Sequence, residues 1–263
     1  MREFSIGITT FERRLESLTR MVKYLKRCDP DIIINLAING EIETPFSEEY
    51  RRGILKLCLE WGNIFPIFHQ EFRSLAKLWN TLVINSVTEY NLILNDDLLF
   101  DEGKNFVEIL SGVISSNPGQ GCFTINNSFS HFVVTKKLLD DMNYFDERFL
   151  LHGEEDGDFV WRYIEKFGNY PPGLNLPILV NTHQSGREDP TTITNNSQLG
   201  YANKPKFNQE FTVTKYTFDP SATISGLYGR PHRRVLSDEK QYPYESFFFR
   251  NKVNFKNFKQ INL

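Results

Sequence analysis

The sequence predicts an α/β fold built on a mostly parallel β-sheet that is flanked by helices. Over the first 110 residues, short apolar segments alternate with segments of helical periodicity, an order typical of parallel strands joined by right-handed crossover helices. The second apolar segment is hydrophobic at nearly every position, as a strand covered on both faces should be. The chain has 263 residues, of which 40% are hydrophobic and 24% charged, and this is the composition of a globular protein.

Four predicted strands, each followed by a predicted helix, occupy this part of the chain. The strands are Phe4–Thr9, Ile32–Ile38, Ile64–Phe68 and Tyr90–Leu94. The first helix carries apolar residues at helical spacing from Leu15 to Leu25 and ends before Pro30, because proline cannot continue a helix. The other helices are Ser47–Leu59, Ser74–Ser86 and Phe106–Ile114. The polar turn residues Asn39-Gly40 and Asn95-Asp96-Asp97 end the second and fourth strands.

The pattern continues beyond residue 120 and then changes. Strands are predicted at Cys122–Ile125 and Phe132–Thr135 and a helix at Asp156–Phe167, whereas residues 187–203 are rich in Thr, Asn, Ser and Gly and indicate a loop. Four prolines interrupt the tail and disfavour long helices there: Pro205, Pro220, Pro231 and Pro243. We therefore expect a body of residues 1–185, divided into halves 1–100 and 101–185, and an irregular, aromatic C-terminal extension of residues 186–263.

Charge is distributed unevenly along the chain. The net charge is −3, which argues against general nucleic-acid binding. Residues 201–263 carry 11 Lys and Arg against 5 Asp and Glu and contain 13 aromatic residues, while the first 200 residues carry 19 against 28. Because disordered segments contain few aromatic residues, we expect the basic tail to pack on the body or on a second subunit, as in a homo-oligomer. A peripheral contact between the tail and an anionic membrane is the alternative.

The compartment is predicted from the cysteines and the apolar segments. Cys28, Cys58 and Cys122 are widely spaced and odd in number, which favours reduced thiols in a cytoplasmic protein over a disulfide framework or a zinc cluster. No apolar stretch approaches the roughly 20 residues of a membrane span, and the charged N-terminus does not have the pattern of a signal peptide.

The strand order alone indicates where a ligand would bind. In open parallel sheets, ligands bind beyond the carboxyl ends of the strands, here at Thr9–Arg14, Asn39–Glu41 and Asn95–Asp97. Asp96 and Asp97 are adjacent carboxylates that would repel each other without a cation between them, and hard oxygen ligands suit Mg²⁺ or Mn²⁺. An acidic turn that caps the next helix would explain the pair equally simply.

A second acidic cluster precedes the last predicted helix of the body. It consists of Glu154, Glu155, Asp156 and Asp158. Acidic residues stabilise a helix N-terminus through its dipole, but capping needs one or two of them. A carboxylate here is also suited to accept the proton of a hydroxyl nucleophile.

Six motifs in a fixed order resemble the family-two nucleotide-sugar glycosyltransferases of the GT-A fold. They are Ile6–Phe11 with Arg13, Leu36–Gly40, Leu78–Asn80, Leu94–Asp97, Phe145–Phe149 and Gly153–Asp156 with Arg162. The resemblance covers residues 3–185 and implies a GT-A (nucleotide-diphospho-sugar transferase) catalytic domain, with a nucleotide half at 1–100 and an acceptor half at 101–185. It departs from the family at Ile38, Asn39 and Asn95, where aspartates are usual.

The resemblance assigns a role to each matching position. Thr9, Thr10, Arg13, Asn39, Asn80, Asn95 and Asp96 would bind the nucleotide sugar. Asp97 and the late His183 would hold Mn²⁺ or Mg²⁺, and Asp156, with Glu155 beside it, would be the catalytic base of an inverting hexosyltransferase-like reaction. Lys204, Arg230, Arg233 and Arg234 are candidates for a lid over the diphosphate.

The resemblance also implies the partners. They are a nucleotide-sugar donor, with a UDP-sugar as first choice, and a glycan or lipid-linked glycan acceptor. Three alternatives remain at this point: an inactive GT-A-fold binding or scaffold protein, which Asn95 favours; a nucleotidyltransferase, which the glycine-free turn after the first strand disfavours; and a metal-dependent hydrolase, which would want more histidines.

Overall fold

The computed structural model describes residues 4–11, 14–40, 45–149, 153–181, 208, 216–218 and 232–234. The chain divides into two compact units. The first unit comprises Met1–Arg73, Thr81–Leu138 and Pro172–Thr194, and the second comprises Ser74–Asn80, Leu139–Pro171 and Asn195–Leu263.

Eleven strands and six helices follow one another along the described part of the chain. In chain order they are β1 (Phe4–Phe11), α1 (Leu15–Cys28), β2 (Ile34–Asn39), α2 (Glu48–Trp61), β3 (Ile64–His69), α3 (Leu75–Asn85), β4 (Tyr90–Asn95), β5 (Leu98–Phe100), α4 (Phe106–Ser116), β6 (Cys122–Ile125), β7 (Ser128–Thr135), α5 (Lys136–Met142), α6 (Glu155–Phe167), β8 (Gly173–Leu174), β9 (Leu179–Asn181), β10 (Tyr216–Phe218) and β11 (His232–Arg234).

The first unit is built on a seven-stranded sheet with the strand order β3-β2-β1-β4-β7-β6-β8. The pairs β2–β3, β1–β2, β1–β4 and β6–β8 are parallel, and only β7 runs against its neighbours β4 and β6. The predicted mostly parallel sheet flanked by helices is therefore confirmed. β1 lies between β2 and β4 and is parallel to both, so the carboxyl ends of these three strands meet at one edge of the sheet.

The two faces of β1 pack differently. Ile6 and Ile8 are fully buried in a core with Leu18, Val22 and residues of the neighbouring strands. Gly7, which faces the other way, lies so close to Leu82 of α3 and Ile93 of β4 that a Cβ atom would come within 3.0–3.1 Å of them. The absence of a side chain at Gly7 thus allows α3 to pack closely against the sheet.

Local signals in the sequence determine where several helices begin and end. Ser47 accepts a hydrogen bond from the Tyr50 N–H at 3.1 Å and caps α2, and Asn105 caps α4 in the same way. Helix α6 ends at Gly168 with φ 75°, a left-handed conformation that glycine adopts without strain. Helix α1 differs, because Arg14 at its N-cap makes no side-chain capping bond.

The short elements were not predicted, and some boundaries shifted. β2 begins at Ile34 because the Ile32 N–H bonds the carbonyl of Asp29 in a turn. β5 has three residues and pairs with β9, while α5 has seven residues and begins where the Thr135 hydroxyl accepts the Leu138 N–H. Segments this short do not complete enough periods to be recognised from apolar spacing.

Two findings bear on the compartment without deciding it. The thiols of Cys28, Cys58 and Cys122 are free. Among the helices that the structure describes, none has the length and hydropathy required to cross a membrane.

His131 is a buried titratable residue in the sheet of the first unit. It lies on β7 opposite Leu94 of β4 and is 2% exposed, and neither ring nitrogen has a hydrogen-bond partner among the described residues. Burial lowers the pKa of His131 from 6.5 to about 4. The folded protein therefore favours the neutral imidazole, and below pH 6.5 the unfolded chain binds a proton that the folded chain does not.

We predict that this histidine makes folding stability fall as the pH is lowered. Its contribution is fully present above pH 6.5, and about 2 kcal/mol is lost between pH 7 and pH 5 by linkage. Urea unfolding of the wild type and of His131→Leu, which has similar volume and does not titrate, measures the difference. The loss of stability between pH 7 and pH 5 should be smaller in the variant by that amount, and equal losses in both proteins would contradict the prediction.

Candidate functional site

The carboxyl edge of the parallel strands brings several predicted site residues together in the first unit. Thr9 of β1 pairs with Asn95 of β4, and Phe11, two residues further, pairs with Asn39 of β2. Thr9 and Thr10 are buried. The sheet register therefore places the ends of β1, β2 and β4 side by side, as the strand order predicted.

The acidic pair lies in the turn between β4 and β5. Asp96 is 5% exposed, its carbonyl accepts a hydrogen bond from the Ser17 hydroxyl of α1, and its carboxylate is hydrogen-bonded by Thr10. The pKa of Asp96 is raised to about 7, chiefly by burial and also by the neighbouring Asp97, while Arg14 and the Thr10 hydroxyl act in the opposite direction. The structure thus keeps two carboxylates close together with little access to water.

Arg14 is a member of this site to which the sequence assigned no role, although it ends the predicted ligand-binding segment Thr9–Arg14. Arg14 is 5% exposed, and its Nη1 lies 3.9 Å from Oδ2 of Asp97. Arg13 and Arg14 are adjacent in the sequence, and Arg13 is the residue that matches the family-like motif. Arg13 lies outside the described residues. Only the start of α1 at Leu15 shows that Arg14 is the residue at the N-cap, and no periodicity distinguishes the two arginines.

The oxygen atoms of this turn fit a hard divalent cation. Asn95 Oδ1, Asp96 Oδ2 and Asp97 Oδ1 are buried and have no hydrogen-bond partner within the described ranges. Buried polar atoms without partners are costly and usually indicate a ligand. Among the described residues, no three or more His, Cys, Asp and Glu side chains are arranged so that they could hold a metal ion. Any metal here would therefore complete its shell with other donors, as Mg²⁺ does with water and phosphate. The predicted ligand His183 lies outside the described residues.

Asn39 holds the segment that follows β3. Its Oδ1 accepts the Arg73 N–H at 2.8 Å and its Nδ2 donates to the Arg73 carbonyl at 3.0 Å. The next residue is Gly40, where a Cβ atom would come within 2.2 Å of the Gln70 carbonyl oxygen. Asn39 and Gly40 therefore fix the close approach of the two chain segments beyond β2 and β3, and contact of Asn39 with a nucleobase stays a prediction.

Asn80 forms a similar clamp in the second unit. Its Oδ1 accepts the Phe145 N–H at 3.0 Å, and its Nδ2 donates to the Phe145 carbonyl and to Oε1 of Glu147, both at 2.9 Å. Asn80 is 0% exposed, so its amide is committed to these contacts. The predicted contact between Asn80 and a nucleotide sugar has no support in this arrangement and stays a prediction.

Glu147 is a buried carboxyl next to Asn80. The pKa of Glu147 is raised to about 7, chiefly by burial. Asn80 and Lys77, whose Nζ lies 3.5 Å from Oε2, act in the opposite direction. Beside it, Arg148 binds Asp146 through several hydrogen bonds, the shortest 2.7 Å long. These contacts hold residues 145–148 through both backbone and side-chain hydrogen bonds.

Aromatic packing links that segment to α6. The Phe145 ring lies edge-on to Trp79, with ring centroids 4.9 Å apart, and stacks on Phe159 of α6 at 4.6 Å. Asn80, through Phe145, therefore supports the helix that begins with the second acidic cluster.

The four acids of that cluster have different environments. Asp158 is 0% exposed and is ion-paired with Arg162 at 2.9 Å, and Arg162 also donates to the carbonyls of Met142 and Tyr144. Glu155 is buried and Glu154 adopts φ 76° before the helix. Asp156 is half-buried, and its Oδ1 accepts the N–H of Gly157 at 2.9 Å. Asp156 is thus the least buried of the three acids in the first turn of α6.

The basic tail is described only in small pieces. Asn208 is 0% exposed and donates a 2.7 Å hydrogen bond to the Gly153 carbonyl, just before α6. Arg233 and Arg234, two of the lid candidates, lie in β11, which pairs with β10. Lys204 and Arg230 and most of the expected packing of Tyr201–Phe258 lie outside the described residues.

Comparison with known proteins identifies the fold. No family model matches the chain, and no curated protein matches it. Among solved structures, S. aureus TarS aligns with 66% of this chain and 35% of its own, at 13% identity and a TM-score of 0.51. The chain thus spans about a third of that protein.

Two solved structures with bound ligands are also similar in fold to this chain. TarS 1–349 in complex with UDP-GlcNAc aligns with 80% of this chain and 72% of its own, at 13% identity and a TM-score of 0.50. The mannosyltransferase PcManGT from Pyrobaculum calidifontis, in complex with GDP-Man and Mn²⁺, aligns with 84% of this chain and 76% of its own, at 10% identity and a TM-score of 0.53. The chain has the GT-A-type fold that its motifs predicted.

We predict that Asn80→Asp strongly destabilises the protein. The change is isosteric, but it removes the donor to Phe145 and Glu147 and places a second carboxyl beside a buried one, so the free energy of unfolding should fall by about 3 kcal/mol or more. Chemical denaturation measures this loss. The same change at Asn117, an exposed residue at the end of α4, serves as the control and should cost less than about 1 kcal/mol. Equal effects at both positions would contradict the clamp.

Proposed function

We propose that this protein is a metal-dependent glycosyltransferase that moves a sugar from a nucleoside diphosphate to an acceptor hydroxyl with inversion of configuration. The observation that supports the proposal best is the turn after β4. There, oxygens of Asn95, Asp96 and Asp97 that have no hydrogen-bond partner among the described residues lie beside the buried side chain of Arg14. This turn is at the carboxyl edge of a GT-A-type sheet, where ligands of open α/β sheets bind.

The residues proposed for the donor occupy this edge. Asp97 would hold Mn²⁺ or Mg²⁺ together with His183, and Asp96 would lie near the ribose. A bound divalent ion supplies Lewis-acid stabilisation of the charge that develops on the departing diphosphate. Thr9, Thr10, Arg13, Asn39 and Asn95 would line the nucleotide. PcManGT, whose solved complex contains GDP-Man and Mn²⁺, supports this use of the fold.

Asp156 is proposed as the general base. Asp158 is buried in its ion pair with Arg162, which disfavours it as a proton acceptor, and Glu155 is buried as well. Asp156 would remove the proton of the acceptor hydroxyl as that oxygen attacks the anomeric carbon, and a single displacement inverts the configuration at this carbon. Asp156 is the least buried of the three acids in the first turn of α6, which favours it for this role.

The substrates and the location are part of the same proposal. A UDP-sugar is the first choice of donor, since TarS is seen with UDP-GlcNAc, although PcManGT holds GDP-Man. The acceptor would be a glycan or a lipid-linked glycan. A cytoplasmic enzyme, with its basic tail against the body, a second subunit or a membrane surface, completes the proposal.

An inactive binding protein of the same fold is the second candidate. Asn95, which stands where the family has an aspartate, is the observation in its favour, because an amide oxygen binds a cation more weakly than a carboxylate does. A thermal-shift panel of UDP, GDP, CDP and TDP with and without Mn²⁺, followed by hydrolysis of the matching nucleotide sugars, separates the two. Stabilisation without turnover would favour the binding protein, and no stabilisation would contradict both.

We predict that turnover of the nucleotide sugar, including slow hydrolysis, requires Mn²⁺ or Mg²⁺ and is abolished by Asp97→Ala. The variant removes the carboxylate proposed to fix the cation. Initial rates of nucleotide release with and without EDTA measure the effect, and Asp101→Ala, at an exposed acid after β5, should retain the wild-type rate. Full activity in excess EDTA would remove the metal from the mechanism.

We predict that Asp156→Asn lowers kcat by roughly 10²–10⁴-fold, the usual contribution of general acid–base catalysis. Because the change keeps the size of the side chain, the affinity for the donor should stay close to that of the wild type. Steady-state kinetics with titration calorimetry separates the two quantities, and Glu165→Gln on the exposed face of α6 is the control. A loss of donor affinity with unchanged turnover of bound donor would make Asp156 a binding residue instead.

A further inference from the structure

We propose that Arg14 is the protein's own cationic ligand for the diphosphate of the donor, and that it shares Asp97 with the metal. The inference rests on the proposed function, because it assigns a residue of the same site. It concerns a residue that lies outside the family-like motif, which contains Arg13.

The position of Arg14 is fixed by secondary structure. It follows β1 and is the N-cap residue of α1, so its backbone lies at the carboxyl edge of the sheet and at a helix N-terminus. Its side chain makes no capping bond. The guanidinium instead lies over the ring of Phe11, with 5.6 Å between Cζ and the ring centroid. This contact orients the side chain without using any of its N–H donors.

The hydrogen bonds of Arg14 are incomplete. Nε and Nη1 are buried and have no hydrogen-bond partner among the described residues, in a side chain that is 6% exposed. An arginine fork normally satisfies its donors with a carboxylate or a phosphate in paired bonds of about 2.7–2.9 Å. The 3.9 Å separation from Asp97 is too long for such a bond.

The carboxylates beside Arg14 have oxygens without a hydrogen-bond donor in the residues that the structure describes, just as Arg14 has nitrogens without an acceptor. Asp96 Oδ2 and Asp97 Oδ1 lack hydrogen-bond partners in the described part of the chain, yet the guanidinium does not turn to bond them. A cluster in which buried donors and buried acceptors both remain unpaired would suit a ligand of two parts, a cation for the oxygens and an anion for the nitrogens. A divalent metal bound to a diphosphate has this chemistry, with phosphate oxygens for the fork of Arg14.

Replacing Arg14 should therefore change the affinity for the cation and the affinity for the anion in opposite directions. Arg14 repels a metal ion held by Asp97, since both are positive, whereas it attracts phosphate oxygens. Arg14→Gln should therefore bind Mn²⁺ alone more tightly, roughly threefold. It should bind inorganic pyrophosphate, measured at saturating Mg²⁺, roughly tenfold or more weakly, because it loses a charge-assisted hydrogen bond. General damage to the site would weaken both.

Titration calorimetry on the full chain tests the inference. The control is Arg27→Gln, the same change on an exposed arginine in the last turn of α1, and both affinities should remain at wild-type values. Arg14→Lys keeps the charge but loses the fork, so its Mn²⁺ affinity should be unchanged and its pyrophosphate affinity lower. If Arg14→Gln does not fold, as shown by circular dichroism, Arg14→Lys decides.

The outcomes separate this inference from the proposed function. Unchanged pyrophosphate binding in Arg14→Gln or Arg14→Lys, a parallel loss of both affinities, or a wild type that does not bind pyrophosphate would overturn it. Opposite shifts in Arg14→Gln would support it, even if the wild type bound neither UDP nor GDP. That last result would contradict the glycosyltransferase proposal and leave Arg14 as a ligand for metal-bound phosphate.

Discussion

The parallel register of β1 with β2 and β4 is the constraint on which the candidate donor site depends. Because Thr9 pairs with Asn95 and Phe11 with Asn39, three polar turns that are far apart in sequence end at one edge. The same register puts Ile6 and Ile8 in the core and leaves Gly7 to admit α3. A shift by one residue would exchange the two faces of β1, so the packing that stabilises the sheet also positions the site.

Asparagine side chains hold irregular backbone segments in place. Asn39 holds Arg73 and Asn80 holds Phe145, each through one donated and one accepted bond to the same peptide residue. A carboxylate could not do this, because it has no donor at neutral pH. The departure from aspartate at Asn39 thus has a structural explanation in this chain, separate from any choice of nucleobase.

The sequence predicted the sheet, its main strands and the edge where the polar turns meet, because apolar periodicity and strand order depend on local patterns. It did not distinguish Arg14 from Arg13, since the difference is the residue at which α1 begins. It did not separate Asp156 from Asp158 by environment either. That distinction comes from Arg162, which pairs with Asp158 and with carbonyls of Met142 and Tyr144. Partners brought in by tertiary packing leave no spacing signal in the sequence.

Charge balance explains why a site of this kind would take metal and donor together. Asp96, Asp97 and Arg14 together carry one excess negative charge when both carboxyls are ionised, and burial makes this costly, as the raised pKa of Asp96 shows. A divalent cation would reverse the sign to one excess positive charge, which attracts a diphosphate. Without the guanidinium, the same cation would leave the cluster neutral. In the proposed site, Arg14 would therefore give the metal-loaded cluster the positive charge that attracts an anion, and the two aspartates would limit this attraction to the metal-bound state.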